Sequence, residues 1–121
     1  MTRSGFLAAF VLFCGWGSAA VAGLSLLMFE QPGCIYCARW TEDVGPEYPL
    51  TEEGRAAPLT RIDLHAALPE GVRINSAPIF TPTFVLLSDG VEVGRIEGYP
   101  GEDFFWPLLG QLIRDAEPSG G

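Results

Sequence analysis

The sequence predicts an α/β fold, a minimal βαβ-(α)-ββα core on a four-stranded mixed sheet. Three observations carry that expectation. The apolar run Leu24 to Phe29, a helical pattern and the strand-like run Pro58 to Leu64 follow one another at the spacing of a βαβ unit. Such a unit pairs its strands in parallel through a right-handed crossover. Two more strand-like runs, Phe84 to Leu87 and Val91 to Ile96, flank Asp89-Gly90, a tight hairpin turn that sets them antiparallel. Finally, Cys34-Ile35-Tyr36-Cys37 stands after a Pro32-Gly33 turn where the helix opens. Apolar strand, turn and C-x-x-C at a helix start is the arrangement of a dithiol redox site.

In chain order, Met1 to Ala22 has the make-up of a secretory signal peptide: Arg3, an apolar stretch from Gly5 to Trp16, and Ala20-Val21-Ala22 as the small-residue cleavage site. Cleavage after Ala22 exports a domain of residues 23–121 and removes Cys14 with the leader. Phe13 is too large for Cys14 to be a lipoprotein cysteine. An uncleaved N-terminal anchor is the alternative, because the interval from Arg3 to Glu30 carries no charge and exceeds the roughly 20 residues that span a bilayer. Leu24 to Phe29, however, is needed as a core strand, and one segment cannot serve both purposes.

The run Leu24 to Phe29 is continuously apolar, as in a strand covered on both faces. The first helix places Trp40 and Val44 four apart and leaves Arg39, Glu42 and Asp43 for solvent, ending at Gly45-Pro46. Thr51 is a cap for a short helical turn. Pro58 to Leu64 alternates in part, with Leu59, Ile62 and Leu64 apolar. Ala66 to Ile74 is a short helix or a loop, and His65 at its start is a surface or loosely buried histidine. The last helix has Asp103 as candidate cap and Phe105, Leu109, Leu112 and Ile113 as its apolar stripe. Pro107 belongs in a first turn, which places the regular helix start at Phe104 to Trp106.

The chain has 121 residues, enough for one small domain, and its seven basic residues, all arginine, face fifteen acidic ones. A net charge of −8 gives no electrostatic footprint for nucleic acid or an anionic membrane.

The spacing of the cysteines explains their chemistry. Residues three apart on a helix share a face, so the sulfurs reach bonding distance. Unpaired N–H groups and the helix dipole at the first turn favour thiolate over thiol, which makes Cys34 the nucleophile and Cys37 the resolving thiol. Two other readings use the same residues. A zinc site needs four ligands, and only Cys14 and His65 remain to complete it. An inert disulfide across so short a loop constrains the unfolded chain little.

With the C-x-x-C at the first helix, this element order and Thr81-Pro82-Thr83 just before the third strand, the chain resembles the thioredoxin-like family. The resemblance implies a cis-proline at Pro82, packed against the redox cysteines, and a Thr81 backbone open to a short β-like pairing with substrate. It also implies a close backbone approach at Gly98 and a redox disulfide with no cofactor or metal. A nearer resemblance, to the periplasmic thioredoxins of sulfur-oxidation systems, rests on Met28 to Cys37, Trp40, Glu47 to Arg55, and Ile96 to Gly101. It implies a periplasmic location, a sulfur-carrier protein as disulfide partner, and a membrane thiol–disulfide electron donor. The chain departs from the family at three places. Met28 stands where thioredoxins bury an aspartate, Gly33 replaces the tryptophan before the first cysteine, and Ile35-Tyr36 matches neither reductant nor oxidant dipeptides. Glu30 is the candidate replacement for the missing proton acceptor. General isomerase or oxidase activity and a non-catalytic docking module remain as alternative functions of the same scaffold.

Overall fold

The computed structural model describes residues 23–117. The expected leader, Cys14 included, lies outside the described residues. Strand β1 (Leu24–Glu30) leads to helix α1 (Ile35–Asp43), a 3₁₀ turn at Tyr48–Leu50, helix α2 (Glu52–Ala56), strands β2 (Leu59–Asp63), β3 (Thr83–Ser88) and β4 (Val91–Glu97), and helix α3 (Glu102–Ala116). The four strands form one mixed sheet in the order β2-β1-β3-β4, with β1 parallel to β2 and antiparallel to β3.

β1 is apolar throughout because both of its faces are covered. Leu26 and Met28 join Phe84, Leu86 and Ile96 on the side where Trp40, Tyr48, Phe105 and Leu109 pack. Trp40 is fully buried and tilts against Tyr48, Phe84 and Phe105 at centroid distances of 5.4–6.1 Å, a range in which aromatic rings attract each other. Leu27, Phe29, Val85 and Leu87 point the other way, where Leu64, Val72 and Ile74 cover them. The two layers are therefore unlike: helices on one side, the connection between β2 and β3 on the other.

That connection contains no helix over residues 64–80. Pro69 and Gly71 interrupt it, and Val72 and Ile74 reach the sheet at i, i+2, with Arg73 making a single parallel bridge to Val91. Thr51 does cap α2, accepting the Gly54 N–H at 2.9 Å, and Tyr48 donates its hydroxyl to the Ala57 carbonyl at 2.7 Å. Burial pushes the Tyr48 phenol well above its ordinary value, with the Glu53 charge adding to it.

The start of α3 differs from the sequence expectation. The helix begins at Glu102, and its cap is the backbone of Gly101, whose carbonyl accepts from Phe104 and Phe105 at 3.1 and 2.9 Å. Asp103 lies inside the first turn, where its charge suits the helix dipole. Pro107 falls in the second turn, with no N–H to give the Asp103 carbonyl. The stripe Phe105, Leu109 and Ile113 is buried as expected, and Leu112 is partly buried.

Candidate active site

The Gln31–Gly33 turn reverses the chain after β1. Gly33 takes a φ of 80°, a conformation that a side chain makes costly, and Cys34 donates its N–H to the Gln31 carbonyl at 3.2 Å. Cys34 is the N-cap of α1, and its Sγ accepts the Cys37 N–H at 3.1 Å. The two cysteines are joined as a disulfide with Cα atoms 5.2 Å apart. Cys34 is half-buried, while Cys37 is 4% exposed and packs in the core that holds Trp40. One thiol is thus reachable and the other lies behind it.

Gln31 also connects the site to the chain before β3, donating from Nε2 to the Thr81 hydroxyl at 3.0 Å. The Thr81–Pro82 peptide is cis. Pro82 is buried, and its carbonyl accepts the Gly98 N–H at 2.7 Å, so Gly98 joins this corner of the site. The N–H and C=O of Thr81 hydrogen-bond to nothing among the described residues. Four large apolar side chains stand exposed on the two segments: Ile35 and Tyr36 between the cysteines, Ile79 and Phe80 before Thr81.

Glu30 lines the same open groove as Cys34 and Cys37. Its carboxylate accepts two hydrogen bonds from Arg61, at 2.8 and 2.9 Å. Arg61 also donates to Thr41 Oγ1 at 2.7 Å, and Thr41 donates to the Cys37 carbonyl at 2.9 Å. The guanidinium lies over Trp40, 5.6 Å from the ring centroid. The hydrogen bonds to Glu30 raise the Arg61 value further, so it is a permanent cation. Met28, where the aspartate was missed, is fully buried and pairs with Arg61 across the sheet. Sequence reasoning overlooked Arg61 and Gln31. The parallel register of β1 on β2 was the signal that brings Arg61 to Glu30, whereas no pattern in the sequence marks the Gln31–Thr81 bond.

Past Gly98, Tyr99 donates its hydroxyl to Asp43 at 2.8 Å, tying the end of α1 to the chain before α3. Burial, followed by that hydrogen bond, pushes the phenol well above its usual value. His65 is exposed, as expected. Among the described residues no group of three or more His, Cys, Asp or Glu is placed to hold a metal ion, and no helix is long and apolar enough to cross a membrane.

A family described as "thioredoxin-like domain" matches residues 22–113. The chain belongs to the thioredoxin-like family. The periplasmic thioredoxin SoxS of Paracoccus pantotrophus, solved in its reduced form, is 61% identical, with a TM-score of 0.76 over 78% of this chain and 99% of that one. A thioredoxin-fold protein of Helicobacter pylori aligns at 20% identity and a TM-score of 0.60, over 78% of this chain and 71% of its own. The thioredoxin of Malassezia sympodialis aligns at 18% identity and 0.53, over 74% and 77%. These two share the fold. No curated protein sequence matches the chain. With its C-x-x-C disulfide and a SoxS relative at this identity, this thioredoxin-like chain is a thiol–disulfide oxidoreductase.

Proposed function

We propose that the protein is a periplasmic reductant of protein disulfides. The Cys37 N–H aimed at Cys34 Sγ is the observation that carries this reading. In the reduced protein that donor and the start of α1 favour a thiolate on Cys34. The Cys34 thiolate attacks one sulfur of a substrate disulfide and displaces the other as a thiolate, forming a mixed disulfide. Cys37, deprotonated as it reacts, attacks Cys34 Sγ and releases the second substrate sulfur. The substrate gains two electrons, and Cys34–Cys37 closes as a disulfide. Glu30, which lines the same groove as Cys37 and is held by Arg61, is the proposed acceptor of the Cys37 proton. The Thr81 backbone, which has no hydrogen-bond partner among the described residues and is aligned by Pro82 and Gly98, receives an extended stretch of the substrate chain.

The signal-peptide make-up of residues 1–22 and the likeness to SoxS, a periplasmic thioredoxin, support the location. The sequence resemblance supports a sulfur-carrier protein as substrate and a membrane thiol–disulfide transporter as electron donor. Trapping with Cys37→Ser tests the substrate, because the mixed disulfide then has no resolving thiol. A sulfur-carrier protein in the trapped adduct is the expected result. A broad set of envelope proteins would replace this reading with a general isomerase or oxidase, and full activity of Cys34→Ser would leave a docking module.

A further inference from the structure

Glu92 and Arg95 lie outside the redox site. Strict alternation along β4 would put positions 92 and 95 on opposite faces. An irregularity between Leu86 and Leu87 breaks the alternation: Leu86 pairs with Gly94 but Leu87 pairs with Glu92, leaving Val93 as the extra residue of a bulge. Arg95 pairs with Val85, so both charged residues sit beside strand partners of the loop-covered layer. Their side chains are 3% and 15% exposed. Arg95 grips the carboxylate through Nε and Nη2, each at 2.8 Å.

The pair's remaining hydrogen bonds are directed at one short stretch of backbone. Glu92 Oε1 accepts the Asn75 N–H and Arg95 Nη2 donates to the Ser76 carbonyl, both at 2.8 Å. Beyond Ser76, residues 77–79 make no hydrogen bond among the described residues. The next ties are the Thr83 hydroxyl on the Phe80 carbonyl at 2.7 Å and Gln31 on Thr81. The segment carrying Ile79, Phe80 and Thr81 is therefore held at its far end by the redox turn and at its near end by the ion pair. An apolar pair at 92 and 95 would fill the same space without a desolvation cost, but it would have no grip on residues 75 and 76.

We propose that Glu92 and Arg95 are a positioning pair for the protein substrate, fixing Asn75 and Ser76 so that the Ile79–Thr81 segment is presented beside the C-x-x-C turn. The inference rests on the reading of the chain as a reductant of protein disulfides. It predicts a division between substrates. A protein disulfide must lie along residues 79–81, whereas a small aromatic disulfide needs only the Cys34 thiolate.

The experiment compares insulin reduction, driven by dithiothreitol, with the single-turnover reaction of the reduced protein with 5,5′-dithiobis(2-nitrobenzoate). Glu92→Gln weakens the grip, and the double variant Glu92→Leu/Arg95→Met removes it while leaving no unpaired buried charge, an exchange that cores commonly tolerate. The double variant should raise KM for insulin about ten-fold, short of the roughly hundred-fold that a ~1 Å misplacement at the reacting atoms can cost. Its rate with the small disulfide and its equilibrium with glutathione should stay at the wild-type values. Unchanged insulin kinetics, or equal losses on both substrates, would overturn the positioning role. If the wild type is inert on insulin, the same comparison is made on the protein that Cys37→Ser traps; a protein active on the small disulfide that traps none would instead remove the protein-substrate reading beneath it.

Discussion

Cys34 is distinguished from Cys37 by its surroundings alone. Its sulfur caps α1 and faces a backbone N–H, while Cys37 is sealed in the core. In the Cys37→Ser protein, the rate of alkylation at Cys34 should therefore report an apparent pKa below the free-thiol reference of about 8.5. A value at or above that reference would remove the argument for Cys34 as nucleophile. Arg61 works differently, since both it and Glu30 keep about a third of their side-chain surface in solvent. Their ion pair is worth little as stability, so Arg61→Met should cost only about 1 kcal/mol in urea denaturation. A larger loss would mean that the Thr41 bond to the Cys37 carbonyl depends on the guanidinium for more than alignment. The Cys34–Cys37 pairing was legible in the sequence from its spacing, and the cis Thr81–Pro82 bond was implied by the family resemblance. Arg61 was not, because its role depends on which residue of β1 it lies beside.

The short helices show why local signals succeed or fail. Thr51 was readable as a cap because its side chain supplies the acceptor, and Thr51→Ala should lose about 1 kcal/mol on denaturation. Gly54, three residues on, carries a tighter constraint. A Cβ there would overlap the Tyr48 carbonyl oxygen, a backbone atom with no freedom to swing aside. Gly54→Ala should then destabilise the protein by about 3 kcal/mol, at the upper end of ordinary overpacking. A smaller loss than for Thr51→Ala would show that the 3₁₀ turn yields. The start of α3 was misplaced because Gly101 caps it with backbone and leaves no side-chain signature. The bulge in β4 was equally hidden. Period-two reading assigns Glu92 and Arg95 to opposite faces, and only the strand register reveals that they meet.

The molecule as a whole is a sheet with two unequal coverings, and this sets where it should open. On the helix side an aromatic cluster and three buried α3 side chains lock the layer. On the other side Leu64, Val72 and Ile74 cover four strand residues, and the connection depends on Glu92 for one of its few backbone anchors. The hydrogen bond from Arg95 holds the Glu92 carboxyl below its ordinary value, against an opposing push from burial. A carboxylate with a depressed folded value contributes stability fully above its unfolded value, about 4.3, and loses it as pH falls through the folded one. Acid should therefore loosen the loop-covered layer first. In native-state hydrogen exchange corrected for intrinsic rates, the Asn75 amide should lose protection as pH falls from the unfolded carboxyl value through the lower folded one, where Glu92 takes up its proton. Amides of Leu27 in β1 and Val85 in β3 should keep theirs, because the central strands open only with the whole fold. Glu92→Gln should already show at neutral pH the lowered Asn75 protection that the wild type reaches in acid. Simultaneous loss at all three amides would mean that the two coverings unfold as one unit. Unchanged protection at Asn75 would mean that the carboxylate does not hold that amide.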